Sequence, residues 1–205
     1  VPEIRLYYSP KEYKRNYVVT KEFRPTMAEI KEYILNFIEK NECATTTQIA
    51  KNVSKNFRME LSTSKLKTKE IVEQMKRDGT LASMLVEKGK KEFVYLYLRE
   101  KGETPFHGWL IKRVKEILEK KEIKAKITSQ LGIESFDIET KDFFIEVETG
   151  LKRQNLNLLK RKIQSLTNKK LLIIVPNSLI KKDYEKLSSE KVKVLTLGEL
   201  ELEKI

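Results

Sequence analysis

The apolar run Leu171–Val175, inside KKLLIIVPN at 169–177, constrains the fold more than any other stretch. A strand turns successive side chains to opposite faces, so Leu, Leu, Ile, Ile and Val in succession leave it no polar face. Such a strand has to be covered on both sides, as an inner strand is when helices layer a sheet. The neighbouring segments supply those layers. WLIKRVKEILEKKEI (109–123) sets Leu110, Val114, Ile117 and Leu118 on one side of a helix. KAKIT (124–128) reads as a short strand, and ESFDIET with KDFFIEVET (134–149) as two strands of a hairpin. LKRQNLNLLKRKIQSLTN (151–168) reads as a helix whose apolar stripe is Leu151, Leu158, Leu159 and Ile163, interrupted by Asn155. SLIKKDYEKLSS forms another helix and KVKVLTL a last strand. The order helix, three strands, helix, strand, helix, strand predicts an α/β domain with a mixed sheet over 106–205. KGETPFHGW (101–109), with Gly102, Pro105 and Gly108, breaks the pattern ahead of it and marks a domain boundary.

The first half has a different grammar. TMAEIKEYILNFIEKN (26–41) opens on Thr26 with Glu29 three residues on, a capping-box pattern, and Ile30, Tyr33, Ile34, Phe37 and Ile38 share one face. CATTTQIAKNVSKNF predicts a turn and a second helix, with Thr45 to Thr47 as cap candidates and Ile49, Ala50 and Val53 inside. STSKLKTKEIVEQMKRDG predicts a third helix, started by Ser62, Thr63 or Ser64, stopped by Gly79, with Leu66, Ile71, Val72 and Met75 toward the core. TLASMLVEKGKKEFVYLYL then reads as two strands about a basic tip. Three helices and a basic-tipped hairpin over 26–100 resemble the winged helix-turn-helix family, an α+β unit. The resemblance implies that the third helix enters a DNA groove through Ser64, Lys65, Lys67, Thr68 and Lys69, and that Lys88, Lys90 and Lys91 on the wing touch backbone. Winged helices also serve as protein–protein modules, and KLKTKE also reads as a solvated helix face. Residues 1–25 form an N-terminal extension with two candidate strands around a basic, tyrosine-bearing loop, and no role is assigned to it.

Charge and composition narrow the partners. The formal net charge is +12, with the excess shared evenly by the two halves, which suits a polyanion touched by both. A Lys-rich, thermophile-like surface kept for solubility is the plainer reading. One cysteine, Cys43, excludes an internal disulfide and any multi-cysteine zinc site, and fits a reducing, cytoplasmic setting. One histidine, His107, argues against histidine-rich metal centres, so a bound metal would rest on oxygen ligands and be Mg²⁺- or Mn²⁺-like. No apolar run is long enough for a membrane span, and no signal-peptide pattern opens the sequence. The chain begins on Val1, consistent with a piece of a longer protein.

The segment FDIETKDFFIEVETG (136–150) concentrates the chemistry. Glu146 and Glu148 are two apart on one strand and share a face. If Thr140 and Lys141 close a two-residue turn, Glu139 pairs with Asp142 and Asp137 with Phe144, which puts Asp137 on that same face, diagonal to Glu146. A slip of one residue sends it to the other face. Three carboxylates on one face of a covered sheet repel and are costly to desolvate. Either a divalent cation offsets that cost, or the strand is an edge and Glu146 and Glu148 are wet.

Asp137 followed by EVETG resembles the PD-(D/E)XK nuclease superfamily, over about 106–200. The resemblance implies Mg²⁺ or Mn²⁺ held by Asp137 and Glu146, with Glu148 as a further ligand or base, and metal-assisted hydrolysis of a phosphodiester. Glu148 stands where that superfamily usually has lysine, and Phe136 where it has proline. EVETG with Asn157 and Lys160 resembles a subgroup fused to archaeal and mobile-element ATPases, which implies Lys160 as the displaced positive charge, with Lys152 the second candidate. The same helix also reads as amphipathic with its lysines in water. His107 reads either as a packed or capping residue or as a group orienting water or phosphate; Glu116 is a weaker ligand candidate. The expected protein is an α/β chain of two domains that binds DNA and cleaves it, alone or as a homodimer. The alternative is an inert nuclease fold acting as a regulator or assembly factor, with DNA, an ATPase or another DNA-processing protein as partner.

Overall fold

The structure, a computed structural model, describes residues 25–102, 104–128, 135–150, 155–166 and 168–203. Residues 1–24 and the candidate Lys152 lie outside them. The fold is mixed α/β, with seven α-helices and two sheets among the described residues.

Three helices come first: α1 (Met27–Asn41), α2 (Thr46–Asn56) and α3 (Leu61–Arg77). Thr26 caps α1 in a full capping box with Glu29, and Thr45 caps α2 in another with Gln48. Each box satisfies backbone donors that the first turn leaves open. Ile30, Ile34, Ile38, Ile49 and Val53 are buried together. Helix α3 starts earlier than its serines suggested, with Glu60 at the N-cap and no side-chain cap bond. Its inward stripe is Ser64, Thr68, Ile71, Val72 and Met75. Leu66, expected in the core, is 72% exposed, because the stripe runs through 64, 68, 71, 72 and 75 and position 66 falls on its far side. Gly79, at φ 80°, follows the last turn in the left-handed conformation expected of a helix stop.

Strands β2 (Leu81–Lys88) and β3 (Lys91–Leu98) form a hairpin in register Lys88↔Lys91, and β1 (Ala44–Thr45) pairs with the other side of β3. Strand β3 is covered on both faces: Leu96 and Leu98 pack with the three helices, whereas Tyr95 and Tyr97 pack with α4 (Thr104–Lys120). Tyr97 stacks on Phe106, Phe106 on Trp109, and Tyr95 lies against Trp109.

The second sheet orders β4 (Lys126–Ile127), β5 (Ile138–Glu139), β6 (Phe143–Val147), β7 (Lys170–Val175) and β8 (Val192–Thr196); the first three are antiparallel and the last pairings parallel. Strand β7 is covered on both sides as its composition demands. Leu172 and Ile174 join the cluster under α4, and Leu171, Ile173 and Val175 join the one under α5 (Asn155–Gln164) and α6 (Ser178–Tyr184). Helix α7 (Leu197–Leu202) ends the described chain. No described helix is long and apolar enough to cross a membrane.

The hairpin tip is not free. The backbone N–H of Glu87 donates to Pro176 O (2.8 Å), the side chain of Asn177 donates to Leu85 O (2.7 Å), and Ser178 N–H donates to Glu87 Oε1 (2.7 Å). Gly198 of α7 lies so close that a Cβ there would stand 2.6 Å from Gly89 O. The hairpin and the second sheet therefore share this contact and one apolar cluster, with Val86, Tyr95 and Tyr97 beside Leu110, Ile145 and Leu197.

Candidate functional site

The β5–β6 connection decides whether the carboxylates meet. Glu139 pairs with Phe144 and Ile138 with Ile145, so the turn is two residues longer than the tight one expected. Thr140 closes it: its N–H donates to Phe143 O (3.0 Å) and its hydroxyl accepts from Phe143 N–H (3.0 Å). A change of two preserves the alternation. Continuing the register one residue sets Asp137 directly opposite Glu146 instead of diagonal to it.

All three acids are buried, Asp137 at 7%, Glu146 at 9% and Glu148 at 7% exposure, which excludes the wet edge strand. Each has a defined partner. Asp137 Oδ2 accepts from the Val147 N–H at 2.8 Å. Glu148 Oε2 accepts from the Tyr184 hydroxyl of α6 at 3.0 Å. Glu146 Oε1 lies 2.6 Å from the Lys162 ammonium of α5, which also donates to Ser135 O at 2.8 Å. Glu146 Oε2 is buried with no hydrogen-bond partner among the described residues.

Burial dominates the electrostatics. It pushes the Glu146 carboxyl up to about 7; the neighbouring Asp137 charge adds to this and Lys162 opposes it. Burial also raises Glu148, against the pull of the Tyr184 hydrogen bond. His107, on the first turns of α4, comes from the other side of the sheet. Its Nε2 lies 2.9 Å from Val147 O and 3.5 Å from Asp137 Oδ2. A carbonyl only accepts, so Nε2 carries the hydrogen of that bond. Burial works to lower the His107 pKa, but the Asp137 carboxylate outweighs it and the net shift is upward.

The ammonium that meets the acids is that of Lys162, not Lys160. Lys160 and Asn157 are exposed on α5. Lys162 is three residues beyond buried Leu159, on the helix face toward the sheet. A lysine in register with the apolar stripe was the available signal; the spacing to EVETG pointed two residues short. Tyr184 had a similar signal, four residues after Ile180 on the inward side of α6. Glu116 is engaged elsewhere, by Arg113 at 2.6 Å.

The expected DNA-facing set divides. Lys65 and Lys69 are exposed on α3 and Lys67 is half-buried. Ser64 and Thr68 are fully buried, and Ser64 donates to Ala50 O (2.6 Å), so neither faces a groove; their small size lets α2 and α3 approach closely. Lys90 and Lys91 are exposed at the hairpin tip. Lys88 turns inward, 2.5 Å from the Tyr95 hydroxyl.

As a cation site the cluster has the right chemistry in three buried carboxylates on one face, with an oxygen of Glu146 left unpaired. It is not a ready-made cage, since no group of three His, Cys, Asp or Glu among the described residues converges closely enough to hold an ion. Lys162 occupies one Glu146 oxygen and the Val147 amide one Asp137 oxygen. No known protein family, curated protein or solved structure matches the chain.

Proposed function

We propose that this chain binds DNA through α3 and the hairpin tip and hydrolyses phosphodiester bonds at the Asp137–Glu146–Glu148 cluster, a winged helix joined to a nuclease-like unit. The observation that carries the reading is the buried, unpaired Oε2 of Glu146 beside two more buried carboxylates and one buried ammonium. Burying so much like charge is costly, and such perturbed groups gather at functional sites. Asp137 and Glu146 would hold Mg²⁺ or Mn²⁺, with Glu148 as the further acid. The ion supplies Lewis acidity beside the phosphate and a more acidic water.

The remaining roles belong to the chain. Lys162 has three N–H donors, two of them engaged by Glu146 and Ser135, and its ammonium lies 5.5 Å from the Phe136 ring centre; a phosphate oxygen at the cluster would take the remaining donor. Tyr184 holds Glu148 in position, and His107 ties Asp137 to the end of β6 through Val147 O. The exposed Lys65 and Lys69 supply charge for a nucleic-acid backbone.

A second reading has its own support. Lys162 already balances part of the acid charge, so an inert cluster can persist without a cation and leave a DNA-binding regulator or assembly factor. The deciding experiment incubates plasmid and branched DNA with the protein in Mg²⁺ or Mn²⁺. The nuclease reading expects cleavage that is lost in Asp137→Ala/Glu146→Ala. Cleavage no greater than that of the double variant rejects it in favour of the second reading.

A further inference from the structure

On the other side of α4 from His107 lies a second charged cleft. It has a volume of about 350 Å³ and is bounded by the α1–β1 turn, the hairpin at Lys88 and Tyr95, and α4. Lys88, Lys112 and Arg113 line it together with the carboxylates of Glu42 and Glu116, and Trp109 and Tyr95 form its aromatic side. Two of the cations have carboxylate partners: Lys112 lies 2.7 Å from Glu42, and Arg113 lies 2.6 Å from Glu116 and 3.5 Å from Glu201. Lys88 has none. Its ammonium donates to the Tyr95 hydroxyl and sits 5.0 Å and 5.6 Å from the Tyr95 and Trp109 ring centres. Arg113 Nε is buried and also lacks a partner.

A half-buried ammonium without a counter-charge is unfavourable, and a second cation nearby makes it more so. Burial and the Arg113 charge both lower the Lys88 pKa, while Glu201 and Glu116 offset them only in part. A methionine there would keep apolar contact with the rings but lose the ammonium with its bond to the Tyr95 hydroxyl. The missing component is an anion that accepts from Lys88 and Arg113 together, in a cleft with an aromatic wall.

We propose that this cleft binds a phosphate group, carried either by a free mononucleotide or by the backbone of a nucleic-acid strand, with Lys88 and Arg113 as donors and Trp109 as the adjoining wall. The site is separate from the acid cluster and does not rest on the nuclease reading. A phosphate oxyanion accepts charge-assisted hydrogen bonds from several donors through separate oxygens, with a fixed geometry that monatomic chloride lacks. Lys88, expected from the sequence to touch backbone at an exposed wing, would instead meet phosphate inside this cleft.

Trp109 is the sole tryptophan of the chain, so its fluorescence reports this cleft alone. The full chain is titrated with inorganic phosphate, with chloride at equal ionic strength, with a 5′-mononucleotide and with a single-stranded oligonucleotide. The expected result is a saturable change with phosphate and none with chloride. Tighter saturation by the mononucleotide identifies a free nucleotide as the source, and tighter saturation by the oligonucleotide identifies strand backbone; either supports the site. Lys88→Met should weaken phosphate binding about tenfold or more, while its thermal midpoint stays level or rises, and Lys88→Arg should retain binding. Absence of saturation by all three phosphate probes in the unmodified chain overturns the proposal whether or not the variant folds. Equal affinity in a folded Lys88→Met also overturns it.

Discussion

Lys162→Met tests the electrostatics of the acid cluster more searchingly than removal of any one acid. Lys162 and Glu146 have side chains only 8% and 11% exposed and are 2.6 Å apart, so solvent screens them little. Removing one partner of such a buried pair costs about 3–5 kcal/mol, because the other charge stays buried alone. That cost depends on pH in a definite sense. Glu146 is held near 7 in the folded chain against an ordinary value of 4.5, so between those values the folded chain keeps a proton that the unfolded chain has released. Its contribution to stability is therefore fully present below about pH 4.5 and is lost as pH rises through 7. Without Lys162 the carboxyl rises further and the alkaline loss deepens. At pH 8 the variant should be less stable by about 3–5 kcal/mol. At pH 5, with Glu146 protonated in both proteins, only the hydrogen bonds to Glu146 and Ser135 are missing, about 1–2 kcal/mol. Urea unfolding followed by circular dichroism at the two pH values measures both. Equal losses at pH 5 and pH 8, or a loss under about 1 kcal/mol at pH 8, would refute the buried-pair argument.

Four further substitutions test the fold and the DNA-facing set. Ser64→Ala should cost about 1 kcal/mol in unfolding free energy through its lost bond to Ala50 O and leave DNA affinity unchanged, whereas Lys65→Ala and Lys69→Ala should leave stability unchanged and each lower the salt dependence of DNA binding by about one phosphate contact. Reduced DNA affinity in a fully folded Ser64→Ala would return that residue to the groove. Gly198→Ala should destabilise by about 1–3 kcal/mol, since its methyl meets the Gly89 carbonyl at 2.6 Å and has to push α7 off the hairpin; an unchanged thermal midpoint would mean that the hairpin contact is loose.

What the sequence revealed follows from how far each signal reaches along the chain. The doubly covered β7 was legible because five consecutive apolar residues admit no other environment. The shared face of Asp137, Glu146 and Glu148 was legible only in its parity, since a turn two residues longer still alternates correctly. Lys162 escaped because its role depends on the rotation of α5 over the sheet, and one step of that helix separates a buried lysine from exposed neighbours. Ser64 and Thr68 were misplaced because short polar residues suit a groove and a tight helix–helix contact equally well. The docking of the hairpin on Pro176, Asn177 and Gly198 joins residues about 90 or more apart, each contact using at least one backbone atom, and no periodicity in the sequence announces it.

The central proposal is that Asp137 and Glu146 hold a divalent cation, with Lys162 beside them. Calorimetric titration of Mn²⁺ into the full chain at pH 8, beside Asp137→Asn/Glu146→Gln, tests it most directly. The account predicts one saturable site in the unmodified chain and none in the double variant. No saturable heat in either, or the same site in both, would contradict it.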